Sequence, residues 1–210
     1  MTWGCSAWSL APQAAIPTVT FTCDFPGSEP SHYGVSVSSN GHSSYISDGK
    51  LTKDSDPDEP FTIDLTVSEP TVTRIFDLAK SAGYFEGNLD LKKKKIAFTG
   101  DKTLTYTDAQ RNTSASYNYS PVPAVQELTT LFQRLSATLE FGRRLEYDYR
   151  YQKLALDEEL KRMEDAFARG SLLEVPAAAP VLSKIMQDPT VINTVRARAQ
   201  RLLEHANPGK

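Results

Sequence analysis

The sequence predicts an α+β fold: an antiparallel sheet of about six to seven strands covered on one face by helices, then a long helix and a C-terminal helical hairpin. Two observations predict it. Between about residues 17 and 135, apolar side chains alternate with Ser and Thr at a period of two, the pattern of strands with one dry and one wet face. From Val125 onward the apolar spacing changes to alternating threes and fours, the pattern of helices. Four segments follow: a tail over 1–16, a β-rich α+β domain over 17–135, a helical region over 136–206, and an end over 207–210.

The strands are justified in order. Thr18-Val19-Thr20-Phe21-Thr22-Cys23 puts Val19, Phe21 and Cys23 on one face and three threonines on the other. Tyr33 to Ser38 and His42 to Ile46 flank Asn40-Gly41, whose tolerance of positive φ marks a hairpin. A two-residue turn there sets His42 opposite Ser39 and turns Tyr45 to the polar side. Residues 48–60 are acidic and contain Pro57 and Pro60, as an exposed loop would. Phe61 to Val67 alternates cleanly. Ser68 then precedes a helix with Pro70 in its first turn, an apolar stripe of Val72, Ile75, Phe76 and Ala79, and Gly83 at its end.

A similar order recurs. Lys95 to Phe98 and Thr103 to Tyr106 flank a Gly100-Asp101 turn, Ser116 to Tyr119 gives another strand, and Ser120 leads into Pro121-Val122-Pro123. Two readings stand: a duplicated hairpin-strand-helix half, or a shared α+β grammar. This layout, on Tyr33 to Ile46 and Phe76 to Phe85, distantly resembles an uncharacterised family of small, mostly exported bacterial α+β domains. The resemblance covers about 18–135. It implies the fold and export, and supplies no catalytic residues.

In the helical region Val125, Leu128, Phe132, Leu135, Leu139, Gly142, Glu146, Tyr149, Lys153, Leu156, Leu160, Met163 and Phe167 occupy a and d positions in turn, an interrupted coiled-coil seam. Oppositely charged pairs four apart (Glu140/Arg144, Glu146/Arg150, Asp157/Lys161, Glu158/Arg162) support it. A continuous helix over 123–169 would be about 70 Å long, and Gly142 is the natural break. Gly170 ends it, Ser171 to Glu174 has capping-box spacing, and Asp188-Pro189 starts a last helix. Phe141, Tyr147, Tyr149 and Tyr151 are expected to pack where the helix leaves the sheet.

Charge bounds the function. The net charge is −3, too near zero for nucleic acid or an anionic membrane as a global partner. Residues 1–60 hold two lysines against seven acids, while the rest is balanced. No run of about 18 apolar residues exists, so no transmembrane segment is expected. Cys5 and Cys23 are too few for a disulfide framework, and one bridge or two free thiols both fit. Residues 1–17 are uncharged and small, and Ser9-Leu10-Ala11 resembles the tail of an export signal. Thr2-Trp3-Gly4-Cys5 resembles a lipoprotein box with Thr in place of the usual Leu.

No cluster of residues points to catalysis, a cofactor or a metal. His32 and His42 lie roughly 24 Å apart along the first hairpin, and His205 suits a helix C-terminus. Lys92 to Lys95 guard a strand edge better than they read nucleic acid. The expected function is a non-enzymatic exported protein, periplasmic or envelope-associated, with cytoplasmic residence as the alternative. It would bind another protein or an envelope polymer through the polar sheet face: Ser36, Tyr45, Thr62, Thr66, Thr103, Thr105 and Ser116, with Thr18, Thr20, Thr22, Asp64 and Asn118 beside them. The rivals are a module that self-associates through the long helix, and an enzyme of undetermined type.

Overall fold

The computed structural model describes residues 15–48, 51, 60–91 and 96–206. Alternating sequence becomes six antiparallel strands: β1 (Thr18–Asp24), β2 (His32–Ser38), β3 (His42–Ser47), β4 (Phe61–Thr66), β5 (Asp101–Thr107) and β6 (Asn112–Tyr117). The first four form a meander. Helix α1 (Glu69–Ser81) then carries the chain back across the sheet so that β5 pairs with β1, giving the order β4-β3-β2-β1-β5-β6. Central strands bury one face completely: Val19, Phe21, Val35, Val37, Tyr45 and Leu104 have no exposed surface. At roughly 1.5–3 kcal/mol for each large apolar side chain buried, this layer dominates the stability of the sheet.

Helix α2 (Pro123–Tyr151) covers that layer, and Phe132 stacks on Phe21 at 5.2 Å between ring centres. At 1.5 Å per residue its 29 residues span about 43 Å, further than the sheet reaches. Its first half, to Leu139, joins the sheet core; from Phe141 onward it joins a second core with α3 (Leu156–Ala168), α4 (Ala179–Gln187) and α5 (Asn193–Ala206).

Several expectations are corrected. The first hairpin has one more turn residue than Asn-Gly alone suggests. Gly41 N–H donates to the Ser38 carbonyl at 2.9 Å, and Val37 pairs with Ser43 rather than Ser44. Gly41 sits at φ +85°, and a Cβ there would meet the Val67 carbonyl at 3.0 Å, so only glycine closes this three-residue turn. A one-residue shift of register exchanges the faces of a strand. Tyr45 therefore points into the core, and Ile46, 44% exposed, takes the outer side.

The second half is also built differently. Ile96 to Phe98 form no strand. Buried Lys102 instead donates from Nζ to the carbonyls of Thr99, Gly100 and Asn118 at 2.9–3.0 Å, and these carbonyls need no ladder. The hairpin in this half is β5–β6. Its turn is held by Asp108, whose carboxylate accepts the backbone N–H groups of Gln110 and Arg111 at 2.7 and 2.6 Å. Four strands and a helix followed by two strands and a helix are not equal halves.

The long helix breaks at Gln152, not Gly142. Gly142 stays helical, and its missing side chain lets Ala178 approach, since a Cβ there would lie 3.8 Å from that of Ala178. Glu174 is no capping-box residue, because it adopts φ +56° ahead of a 3-10 turn, Val175–Ala178. Asp188 ends α4 rather than starting α5. Of the four helix pairs, Glu146–Arg150 forms at 2.8 Å, whereas Arg144 goes to Glu159 and Arg198 to Asp157. Residues 1–14 with Cys5, residues 49–50 and 52–59 of the expected acidic loop, Lys92 to Lys95 and residues 207–210 lie outside the described residues.

Candidate functional site

The outer sheet face holds six of the seven residues expected there. Its hydroxyls are occupied with one another across the strands: Thr20 with Ser36 at 2.9 Å, Thr103 with Ser116 at 2.8 Å, and Thr105 with Ser114 at 3.1 Å. Thr62 and Thr66 project from β4 as exposed side chains, with Asp64 between them. Asn118 is not part of this face, because its side chain binds Thr99 N–H at 2.8 Å and the Ala97 carbonyl at 3.1 Å beyond the end of β6. Apart from Ile46 the face is polar, and it is largely self-satisfied.

Tyr45, the seventh residue, belongs to a buried polar cluster between the sheet and α2. Its hydroxyl donates to Glu140 Oε1 at 2.8 Å and lies 3.0 Å from the Ser136 hydroxyl. Ser47 donates to the same Glu140 oxygen at 2.6 Å, and Arg143 lies 3.7 Å from the other. Burial, then the Glu140 carboxylate, pushes the Tyr45 phenol above its ordinary pKa. Glu140 is only 6% exposed, so the two hydroxyls and Arg143 compensate a charge that would otherwise be costly in the core.

Arg143 of this cluster also lines a groove of about 730 Å³. One wall is β4, through Phe61 and Ile63. The opposite wall is α2 at Leu139 and Gly142, with Ala177, Ala178 and Val181 closing the floor. Gly142, Ala177 and Ala178 line it with little side-chain bulk. Arg143 lies over the Phe61 ring at 5.0 Å, and Tyr147 packs against Tyr151 at 5.1 Å along the rim. Arg150 and Lys184 both bind Glu146, at 2.8 and 3.0 Å. Burial raises the Glu146 carboxyl, but these two partners outweigh it and hold the group below its usual range.

The expected aromatic cluster is thereby divided. Tyr147 and Tyr151 line the groove, whereas Phe141 and Tyr149 pack into the helical core. Chain position hid the groove from the sequence, since its walls come from residues as far apart as 61 and 181. The one legible signal was Gly142 inside an apolar seam. The groove can hold an apolar body and orient an anionic group, which is the chemistry of binding.

His32 on β2 hydrogen-bonds Asp24 on β1 at 2.5 Å, and among the described residues no three His, Cys, Asp or Glu side chains gather as a metal site. No helix among the described residues is long and apolar enough to cross a membrane. No protein-family model matches the chain, and no curated protein matches it either.

Proposed function

We propose that this is a non-enzymatic exported accessory protein, periplasmic or envelope-associated, that holds a partner in the groove between β4 and the helices. The observation that carries the reading is the 730 Å³ space with its apolar walls and cationic rim. The polar face is the weaker surface, because its hydroxyls already bond to each other. The uncharged, small-residue start of the sequence supports export. The coiled-coil alternative is less favoured, because the seam residues Val125 to Leu139 and Leu156 to Met163 are buried inside the chain itself.

The test uses 1-anilinonaphthalene-8-sulfonate, an apolar anion that matches walls and rim. Its emission is expected to rise and saturate on the folded protein. The Ile63→Asp variant, which sets a charge in the wall, is expected to abolish the rise with Tm within a few degrees of the wild type. An equal signal in both proteins, or none in the wild type, rejects the groove as a binding site.

A further inference from the structure

The segment between α3 and α4 joins the two cores, as α2 does. It crosses α2 as a strap. Leu173 N–H donates to the Thr138 hydroxyl oxygen at 3.2 Å and to the Arg134 carbonyl at 3.3 Å, and Arg134 Nη2 donates to the Leu172 carbonyl at 3.0 Å. Leu173 and Ala177 pack against the sheet core, whereas Leu172, Val175 and Ala178 belong to the helical one.

Glu174 lies in the middle of this strap, at φ +56° and ψ +45°, a left-handed conformation that is unfavourable for a residue with a Cβ. Its carboxylate accepts the Thr71 hydroxyl at 2.5 Å, the Ser68 hydroxyl at 2.6 Å and Ser68 N–H at 3.3 Å, all at the start of α1. Its carbonyl accepts Ala177 N–H at 2.9 Å, the hydrogen bond that opens the 3-10 turn. One residue thus holds α1 with its side chain and the turn with its backbone. The turn and the start of α4 give Ala177, Ala178, Pro180 and Val181 to the groove, whereas Ser68, Thr71 and Glu174 do not line it.

We propose that Glu174 is a clasp that couples the groove to the N-terminus of α1. The proposal rests on the groove being the binding site. With the clasp closed, three hydrogen bonds offset the unfavourable backbone, the turn is formed, and Ala178 sits against Gly142. With the clasp open, the left-handed backbone loses that compensation. Its return to an ordinary conformation re-aims the Glu174 carbonyl, breaks the turn and moves the wall. A body that touches Ala177, Ala178 and Val181 fits the closed form. It therefore stabilises the clasp, and the clasp strengthens its binding by the same factor.

The experiment titrates 1-anilinonaphthalene-8-sulfonate onto the full chain and follows single amides by NMR hydrogen exchange, with and without saturating probe. In the wild type the probe is expected to slow exchange of the Ser68 and Val72 amides about threefold. Ser68 N–H bonds Glu174, and Val72 N–H closes the first turn of α1 on the Ser68 carbonyl. The Gln110 and Arg111 amides, held by Asp108 in the β5–β6 turn, are expected to keep their rates. Glu174→Ala deletes the carboxylate and keeps the Cβ, so the clasp opens. It is expected to weaken the probe about tenfold, or roughly 1.4 kcal/mol, and to abolish the slowing at α1. Glu174→Gly deletes the same carboxylate but suits a left-handed backbone, and is expected to weaken the probe only about threefold.

Unchanged affinity in Glu174→Ala, equal losses in the Ala and Gly variants, or exchange at Ser68 and Val72 indifferent to the probe overturns the clasp. The groove then still stands on its saturable emission. If the wild type gives no saturable emission, the groove reading falls and the clasp with it. Should Glu174→Ala fail to fold, Ser68→Ala at an exposed position decides: weaker probe binding supports the clasp, and unchanged binding overturns it.

Discussion

The sheet core and the helical core share one helix, α2, yet they are built on opposite rules. The sheet core is rich in rings and β-branched side chains from the strands, and it takes polar groups inside: Tyr45, Ser47, Ser136 and Glu140 bond to each other at 2.6–3.0 Å. The helical core is mainly aliphatic, with Leu145, Leu156, Leu160, Met163, Leu182 and Ile185 fully buried and aromatic rings only at Phe141, Tyr149 and Phe167. Most of its charge stays at the rim, where Arg198 bridges Asp157 and Glu164 and Lys153 reaches Asp188. Rings over a pleated surface have one good register, and buried hydrogen bonds penalise any other. Aliphatic helix stripes tolerate sliding, so specificity there falls to ion pairs between helices. The two regions should therefore fail under different stresses.

The largest effect is expected from breaking the shared element in its sheet-facing half. Phe132→Ala removes the ring stacked on Phe21 and should cost about 3–5 kcal/mol. Since α2 enters both cores, chemical denaturation followed by tyrosine fluorescence and by far-UV dichroism should still give one coincident transition. Two separated transitions would show that the cores unfold independently.

A smaller effect isolates the buried polar rule. Tyr45→Phe keeps the ring and deletes the hydroxyl, leaving the buried Glu140 carboxylate with one fewer donor; about 1–3 kcal/mol should be lost. A Tm equal to that of the wild type would mean that the hydroxyl contributes nothing.

Acid should act mainly on the other region. Hydrogen bonds from Lys153 and then Thr190 hold the Asp188 carboxyl well below its usual range, and Lys184 and Arg150 lower Glu146. Both groups bind protons more weakly in the folded chain than in the unfolded one. Their contribution is complete above about pH 5 and is lost as pH falls through 4 and below. Lys153→Met should flatten the acid side of the Tm profile. Parallel profiles for variant and wild type would refute this. The pair is exposed, so the effect is the smallest of the three.

Much of this was readable from sequence, and the failures have physical causes. Alternation in β1, β2 and β4 fixed which residues face inward, because those strands have one dry face. Tyr45 was misplaced because Asn40-Gly41 signals a two-residue turn, whereas the chain closes with Ser39 included. The β5–β6 hairpin was missed because its turn uses an aspartate side chain in place of glycine. Gly142 was expected to break a helix, at a cost near 1 kcal/mol relative to alanine; close packing on Ala178 favours keeping it helical. The groove was invisible because no local pattern reports a space left between β4, α2 and α4.

Glu174 bears on how the molecule assembles. Its carboxylate accepts hydrogen bonds from the hydroxyls of Ser68 and Thr71 at 2.6 and 2.5 Å and from Ser68 N–H at 3.3 Å, supplying the N-terminus of α1 from 106 residues further along the chain. During synthesis from the N-terminus, α1 emerges long before its acidic cap exists. The sheet can collapse early, but its first helix is finished only after the 3-10 turn at Val175 has docked on α2. Interactions of such long sequence separation slow folding and make it all-or-none. A ribosome-bound chain stopped shortly before residue 174 should therefore hold a loosely ended α1 that a protease finds at Ser68, and one extended past α5 should not.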